Sequence, residues 1–173
     1  MERKSLFVFL VMLVFVFGFS ISGAHSMDDP VATLSGLKGI YVDIASIDSN
    51  LEIEGVTVNR LRNEAESRLK KAGITVLNKD DYDRYSRTQT YQMARLDISV
   101  TSDPGESETH RIYVLRVQVS QEARLWRKPI IKITAPTWEI LKIASNPREG
   151  SLLMQIQEAL DLFIQDFRSA NSR

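Results

Sequence analysis

The stretch LRVQVSQEARLWRKPIIKITAPTW, residues 115–138, alternates apolar and polar side chains over most of its length. Val117 and Val119 fall on one side of an extended chain, and Arg116, Gln118 and Ser120 fall on the other. Successive side chains of a strand point to opposite faces. Wound into a helix, the same residues would scatter their apolar groups around the whole circumference. The chain is therefore committed to a sheet with one buried face. What the second face meets becomes the functional question.

The alternation recurs elsewhere. Ile40, Val42 and Ile44 oppose Tyr41 and Asp43; Ala94, Leu96, Ile98 and Val100 oppose Arg95, Asp97 and Ser99; Ile131, Ile133 and Ala135 oppose Lys132 and Thr134. Residues 74–77 read as a short strand, and the long hairpin turns around Arg127-Lys128-Pro129. Between these strands the period changes. Thr57 is a good helix N-cap for TVNRLRNEAESRLKKAG, which places Val58, Leu61, Ala65, Leu69 and Ala72 on one stripe. Gly73 can take the left-handed position after the helix. Ser151 precedes a second helix whose inward stripe is Leu153, Ile156, Leu160, Phe163 and Phe167. NKDDYDRYSRTQTY reads as a polar connection with room for one helical turn near Asp80, and TSDPGESETH as a turn. TWEILKIASNPREG either prolongs a strand past Pro136 or forms an irregular crossover. The economical fold is α+β: a two-layer sandwich with a mixed, mainly antiparallel sheet of about four or five strands and both helices on one face.

The beginning of the chain indicates export. Arg3 and Lys4 precede an uncharged run, residues 6–21, which is shorter than the roughly 20 residues a membrane-spanning helix needs. Small residues follow at Ser22, Gly23 and Ala24, so residues 1–24 are expected to be a cleaved signal peptide. Cleavage after Ser26 and an uncleaved anchor are the alternatives. The expected location is the periplasm, with no stable membrane insertion after cleavage. Residues 25–35, broken by Pro30, read as a flexible lead-in, and residues 36–171 as a single domain. There is no cysteine, which excludes disulfides, thiol catalysis and a lipid-bearing cysteine. Acidic and basic residues balance at 22 each, without the basic surplus typical of a nucleic-acid binder.

No catalytic or cofactor motif is present. The histidines are His25 and His110, far apart in sequence, and a copper site at the exposed amino terminus is a remote reading. The acidic clusters Asp80-Asp81-Asp83 and Glu64-Glu66 sit among basic residues and do not mark a catalytic pair. The expectation is a protein without enzymatic activity, cofactor or metal, and the oligomeric state is open. The outward polar residues can be a solvated face, since opposite charges on neighbouring strands stabilise a sheet by themselves. As a docking face, the candidates are Arg116, Gln118, Ser120, Arg124, Trp126 and Trp138. The two tryptophans can anchor an interface, although closing the ends of the core is the commoner role. The leading functional expectation is a non-catalytic periplasmic accessory protein that binds another cell-envelope protein through a sheet edge or the polar face. A small-ligand binder with a pocket near Tyr82, Tyr85 and Trp138 is the alternative, with Tyr91 also flanking that region. A hydrolase comes third.

The segments LKGIYVDI, LEIEGVTVNRLRNEAESRLKKAGITVL, YVLRVQVSQEARLWR, TAPTWEI and LDLFIQDFRSAN resemble a group of small, exported, uncharacterised bacterial proteins. Ala72-Gly73-Ile74 and Thr137-Trp138 carry the resemblance most specifically, and the ending is loosely kept in residues 163–171. The order of strands and helices is also similar to the amino-terminal domain of the periplasmic TolB protein and to lipopolysaccharide-assembly lipoproteins. The resemblance implies an envelope location and supplies no catalytic residue.

Overall fold

The computed structural model describes residues 29–47, 56–88, 92–103, 112–145 and 150–172. The expected signal peptide, both histidines, Tyr91 and the Asp103-Pro104-Gly105 turn beyond its first residue lie outside these. The fold is α+β, with strands β1 (Gly39–Ile47), β2 (Val76–Leu77), β3 (Met93–Asp103), β4 (Ile112–Leu125) and β5 (Lys128–Ser145). The helices are α1 (Val58–Lys71), α2 (Lys79–Thr88) and α3 (Ser151–Asn171). The strands form one sheet in the order β2-β1-β3-β4-β5. β1 runs parallel to β2 and β3, whereas β3–β4 and β4–β5 are antiparallel and form the longer ladders.

The alternation predicts the buried face correctly for β1, β3 and the half of β4 that pairs with β3. Ile40, Val42, Ala94, Leu96, Ile98, Val100, Leu115, Val117 and Val119 are all buried. They share a face by register, with Val42 opposite Leu96, and Leu96 opposite Val119. Leu61, Ala65 and Leu69 of α1, and Leu152, Ile156, Ala159, Leu160 and Phe163 of α3, complete the same core. Each fully buried Leu, Ile or Phe contributes about 1.5–3 kcal/mol of transfer free energy, which suits a chain with no disulfide.

Local chemistry fixes the ends of α1. Thr57 Oγ1 accepts from the Arg60 amide at 3.2 Å. At the far end the Ile74 amide donates to the Leu69 carbonyl at 2.9 Å and the Gly73 amide to that of Lys70 at 3.0 Å. Gly73 has φ 81°. This is a Schellman closure, and the buried pair Leu69 and Ile74 seals it.

Five expectations need correction. Ile131 and Ile133, expected to face inward, are exposed at 38% and 42%, because they lie beside the part of β4 beyond Ser120, where the ladder to β3 has ended. The part of the lead-in that is described contains a 3-10 turn (Ala32–Leu34), and Leu34 is fully buried in the core. Ser151 is not the cap of α3. Gly150 holds that position at φ 79°, and the Ser151 hydroxyl is buried without a hydrogen-bond partner. Leu152, not Leu153, leads the inward stripe of α3; Leu153 and Phe167 are half-buried. The polar connection is largely a third helix, α2. Asn78 caps it, accepting the Asp81 amide at 2.7 Å while its own amide group donates to Asp81 Oδ2 at 2.8 Å. Of the two readings of residues 137–149, the strand holds as far as Ser145. Pro136 is accommodated by a register shift beside Ser120, where the missing N–H interrupts the ladder.

The acidic clusters are absorbed by helix pairing. Lys79 meets Asp83 at 2.9 Å, Arg84 meets Asp81 at 2.8 Å, and Lys70 meets Glu66 at 3.0 Å. Arg68 bridges Glu64 on its own helix and Asp161 on α3, both at 2.7 Å. The hydrogen bond from Arg68 outweighs the opposing desolvation and holds the Glu64 carboxyl below its ordinary pKa. A carboxylate depressed in this way stabilises the folded state above its unfolded pKa, and the contribution disappears as pH falls through the lowered folded value. Replacing Glu64 with Gln is thus expected to cost about 0.3–0.5 kcal/mol at neutral pH. That gap should close below the ordinary carboxylate range, as read from urea midpoints across pH.

Candidate functional site

The outer face of the sheet is built from the residues that the alternation leaves out of the core. Register places Tyr41 beside Arg95, Asp43 beside Asp97, and Arg95, Asp97 and Ser99 opposite Ser120, Gln118 and Arg116. On the next strand, Gln118 pairs with Glu139, Arg116 with Leu141 and Val114 with Ile143.

α2 lies on this outer face. Tyr82 stacks on Tyr41 with ring centroids 5.2 Å apart and planes at 24°. Burial raises the Tyr82 phenol above its ordinary pKa. The placement follows from topology. The chain moves one way across the sheet from β1 to β2 and the opposite way from β2 to β3. Two crossovers of the same right hand that run in opposite directions put their helices on opposite faces. α1 therefore joins the core side, and α2 takes the outer one.

Beside α2 a shallow depression of about 190 Å³ is lined by Asp43, Ala45, Arg95, Asp97, Ser99, Arg116 and Gln118. At its floor the Asp97 carboxylate is buried. Ser120 donates to Asp97 Oδ2 at 2.7 Å, and Gln118 reaches the same oxygen at 3.5 Å. Arg95 Nε lies 2.6 Å from Asp97 Oδ1, a close ion pair that lacks hydrogen-bond alignment. Arg116 pairs with Glu139 at 2.8 Å. Both arginines of the depression thus already face a carboxylate, and its volume lies below the roughly 300–1,000 Å³ of ordinary small-molecule pockets. Among the described residues no cluster of His, Cys, Asp or Glu could hold a metal ion.

The expected docking residues separate into distinct environments. Arg116 and Arg124 are exposed, and Gln118 is half-buried. Ser120 is buried under the outer face, held by Asp97. Trp138 is 3% exposed; its indole donates to Asp166 Oδ2 at 2.9 Å, and its ring meets Phe163 edge-on at 5.2 Å. Neither Ser120 nor Trp138 offers a surface. Trp126 departs from its expected role in the other direction: it closes no core and is 97% exposed. Tyr82 and Tyr85 belong to α2 on the outer face, while Trp138 faces the core. The sheet therefore separates the residues of the expected ligand pocket.

Thr137 and the residues at the end of α3 form a structural clip. Gln121 Nε2 donates to Thr137 Oγ1 at 2.7 Å and to the Thr33 carbonyl at 3.0 Å. Asn171 accepts the Gly36 amide at 2.9 Å and donates to the Leu34 carbonyl at 3.0 Å. These contacts tie the 3-10 turn to β5 and to α3.

The two sheet edges differ greatly. β2 is two residues long, too short to accept another strand. β5 has 18 residues, and no described strand pairs with its outer side. Past the shift at Thr137, residues 138–145 run beside β4 without a further shift in register. Next to that edge the outer face carries exposed Leu141 and Ile143, at 50% and 68%, with Ile112 close by at 45%. The strength of this edge was hidden in the sequence by Pro136 and by the ambiguous tract after it. The available signal was a lapse in the alternation: with Trp138 and Ile140 inward, Leu141 and Ile143 must fall on the outer face.

No helix among the described residues is long and apolar enough to cross a membrane. No protein family and no curated protein matches the chain. Among solved structures, the PelC dodecamer from Paraburkholderia phytofirmans is similar at 11% identity, covering 76% of this chain and 88% of that one, with a TM-score of 0.41. So distant a likeness bears on neither fold detail nor function.

Proposed function

We propose that the protein is a non-catalytic accessory protein of the periplasm that binds another cell-envelope protein by accepting an extended segment along β5. The observation that carries this reading is the side of residues 138–145 that no described strand pairs with, flanked by Leu141 and Ile143 on the outer face; Thr137, just before it, is engaged by Thr33. A strand added there would satisfy its main chain on the edge and place alternate side chains against that apolar pair. A long, exposed edge is a hazard that folded proteins ordinarily blunt. Here Pro129 and Pro136 interrupt only its first half. The polar face itself supports the reading less, because α2 covers part of it and both arginines of its depression already face a carboxylate. The small-ligand alternative would use one of the open surface clefts: the 190 Å³ depression, one of about 400 Å³ between α1 and α3 whose Arg68 already bridges Glu64 and Asp161, or one of about 410 Å³ between the 3-10 turn and the end of α3.

The test replaces Leu141 and Ile143 together with lysine. Both side chains are exposed, so stability should change by no more than about 0.5 kcal/mol. Crosslinking through a photoreactive group placed at residue 145, in envelope extract, should yield a discrete adduct with the natural chain. The double variant should reduce that adduct at least tenfold. Equal labelling of both chains would remove the β5 edge as the docking site.

A further inference from the structure

The hairpin of β4 and β5 extends well past the body of the domain. Pairing of β4 with β3 ends at Ser120, opposite Arg95, yet β4 and β5 continue together to Leu125 and Lys128. The five further residues of β4 reach about 16 Å at the usual strand rise. Gln121 still meets the 3-10 turn through the Thr33 carbonyl; beyond it no third strand among the described residues pairs with the ribbon, and a two-stranded ribbon by itself is marginal in water. This one also carries its least soluble residues at the far end.

Trp126 and Arg127 make the turn. The register then jumps, with Leu125 opposite Lys128 but Arg124 opposite Lys132. Pro129, Ile130 and Ile131 are thus left as a bulge. Pro129 has no amide hydrogen for the ladder, and a bulge is where a strand tolerates that loss. The consequence is exposure: Trp126 at 97%, Ile130 at 83% and Ile131 at 38%. Arg127 and Lys128 stand at the tip itself, with Arg124 and Lys132 behind them; Lys132 pairs with Glu122 at 2.9 Å. A chain whose charges balance overall therefore concentrates positive charge at the same tip where it exposes a tryptophan and two isoleucines.

We propose that this hairpin tip is a peripheral membrane contact, and that its occupant is the surface of an anionic phospholipid bilayer. Charge complementarity selects the partner. Each Lys or Arg near an anionic leaflet strengthens attachment about fivefold. Tryptophan favours the interfacial zone, where its ring meets the acyl boundary and its N–H meets water and headgroups. The contact lies at the opposite end of β5 from residues 138–145, so a protein held along that edge and a bilayer at the tip can be engaged together.

Fluorescence of the full chain reads the tip directly, because Trp138 is buried while Trp126 is almost fully exposed. The probes are vesicles of phosphatidylglycerol mixed with phosphatidylcholine, compared with phosphatidylcholine alone, with and without brominated acyl chains. The apolar tract of residues 6–21 can hold the chain to either vesicle, so the readout is Trp126 emission rather than sedimentation. On anionic vesicles the emission should shift to shorter wavelength and be quenched by bromine. About 0.5 M salt should reverse both effects by screening. The Arg127→Glu/Lys128→Glu variant should need at least tenfold more anionic lipid for the same response. An unchanged emission, or an equal response on neutral vesicles, would overturn the proposal. So would a concentration-dependent shift without lipid, which would mean that a second copy of the chain covers the tip. None of these outcomes depends on whether the β5 edge binds a protein.

Discussion

Replacing Phe163 with alanine is expected to lower the unfolding free energy by about 3–5 kcal/mol. Phe163 is fully buried. Its ring lies 5.2 Å from that of Trp138 and 5.9 Å from that of Phe167, so a single side chain joins α3 to β5 and to its own next turn. Truncation removes the transfer free energy of the ring and leaves a cavity between a helix and a sheet, two rigid surfaces that collapse poorly. Domains of this size hold only about 5–15 kcal/mol in total, and the melting temperature should fall by about 10 °C. Loss of the edge-on contact should also change the near-ultraviolet signal of Trp138. Urea midpoints for Phe163→Ala and Phe163→Leu check the argument. If leucine, which refills most of the volume, costs as much as alanine, the packing account fails.

Replacing Asp97 with alanine is expected to cost about 2–3 kcal/mol, through a different mechanism. Its carboxylate is buried on the outer side of β3, accepts from Ser120 at 2.7 Å and pairs with Arg95 at 2.6 Å. Removing it deprives the buried Ser120 hydroxyl of its acceptor, leaving only the Gln118 amide that donates to it at 3.3 Å, and leaves the Arg95 charge beside Tyr82 without its nearest counter-charge. An orphaned buried polar group costs about 1–3 kcal/mol. Losing one member of a buried ion pair costs more, but Arg95 is 37% exposed and regains part of its hydration, which holds the sum near the lower end. Asp97→Asn keeps an acceptor for Ser120 and should cost about half as much. A double-mutant cycle with Ser120→Ala measures the coupling directly, and a coupling near zero would show that the buried carboxylate does not depend on Ser120.

Much of the fold was legible because it was encoded locally. Thr57 caps α1, Gly73 closes it, and the alternation of Leu96, Ile98, Val117 and Val119 sets the buried face. Each of these features depends on residues close together in the sequence and on a simple period. The misread elements depended on distant partners. α2 looked like a loop because its only large nonpolar groups are the rings of Tyr82 and Tyr85, one turn apart, too few to reveal its period. What keeps it in place is Tyr82 on Tyr41 together with side-chain pairs such as Lys79 with Asp83. Trp126 and Trp138 are the same residue type in similar alternating sequence. One becomes the tip of a projecting hairpin and the other part of the core, because Pro129 and Pro136 break the register at different places.

The sequence by itself determined that this chain forms an α+β domain in which one sheet face and two amphipathic helices share an apolar core, held without disulfides. That follows from periodicity and composition, which act through every residue at once. Only the tertiary structure decided what remained exposed. The order β2-β1-β3-β4-β5 put α2 on the outer face and left β5 at an edge, and the end of β3 at its pairing with Ser120 set how far the hairpin projects. Exposure depends on which strands neighbour one another and where each ladder stops, and no local pattern of residues records either.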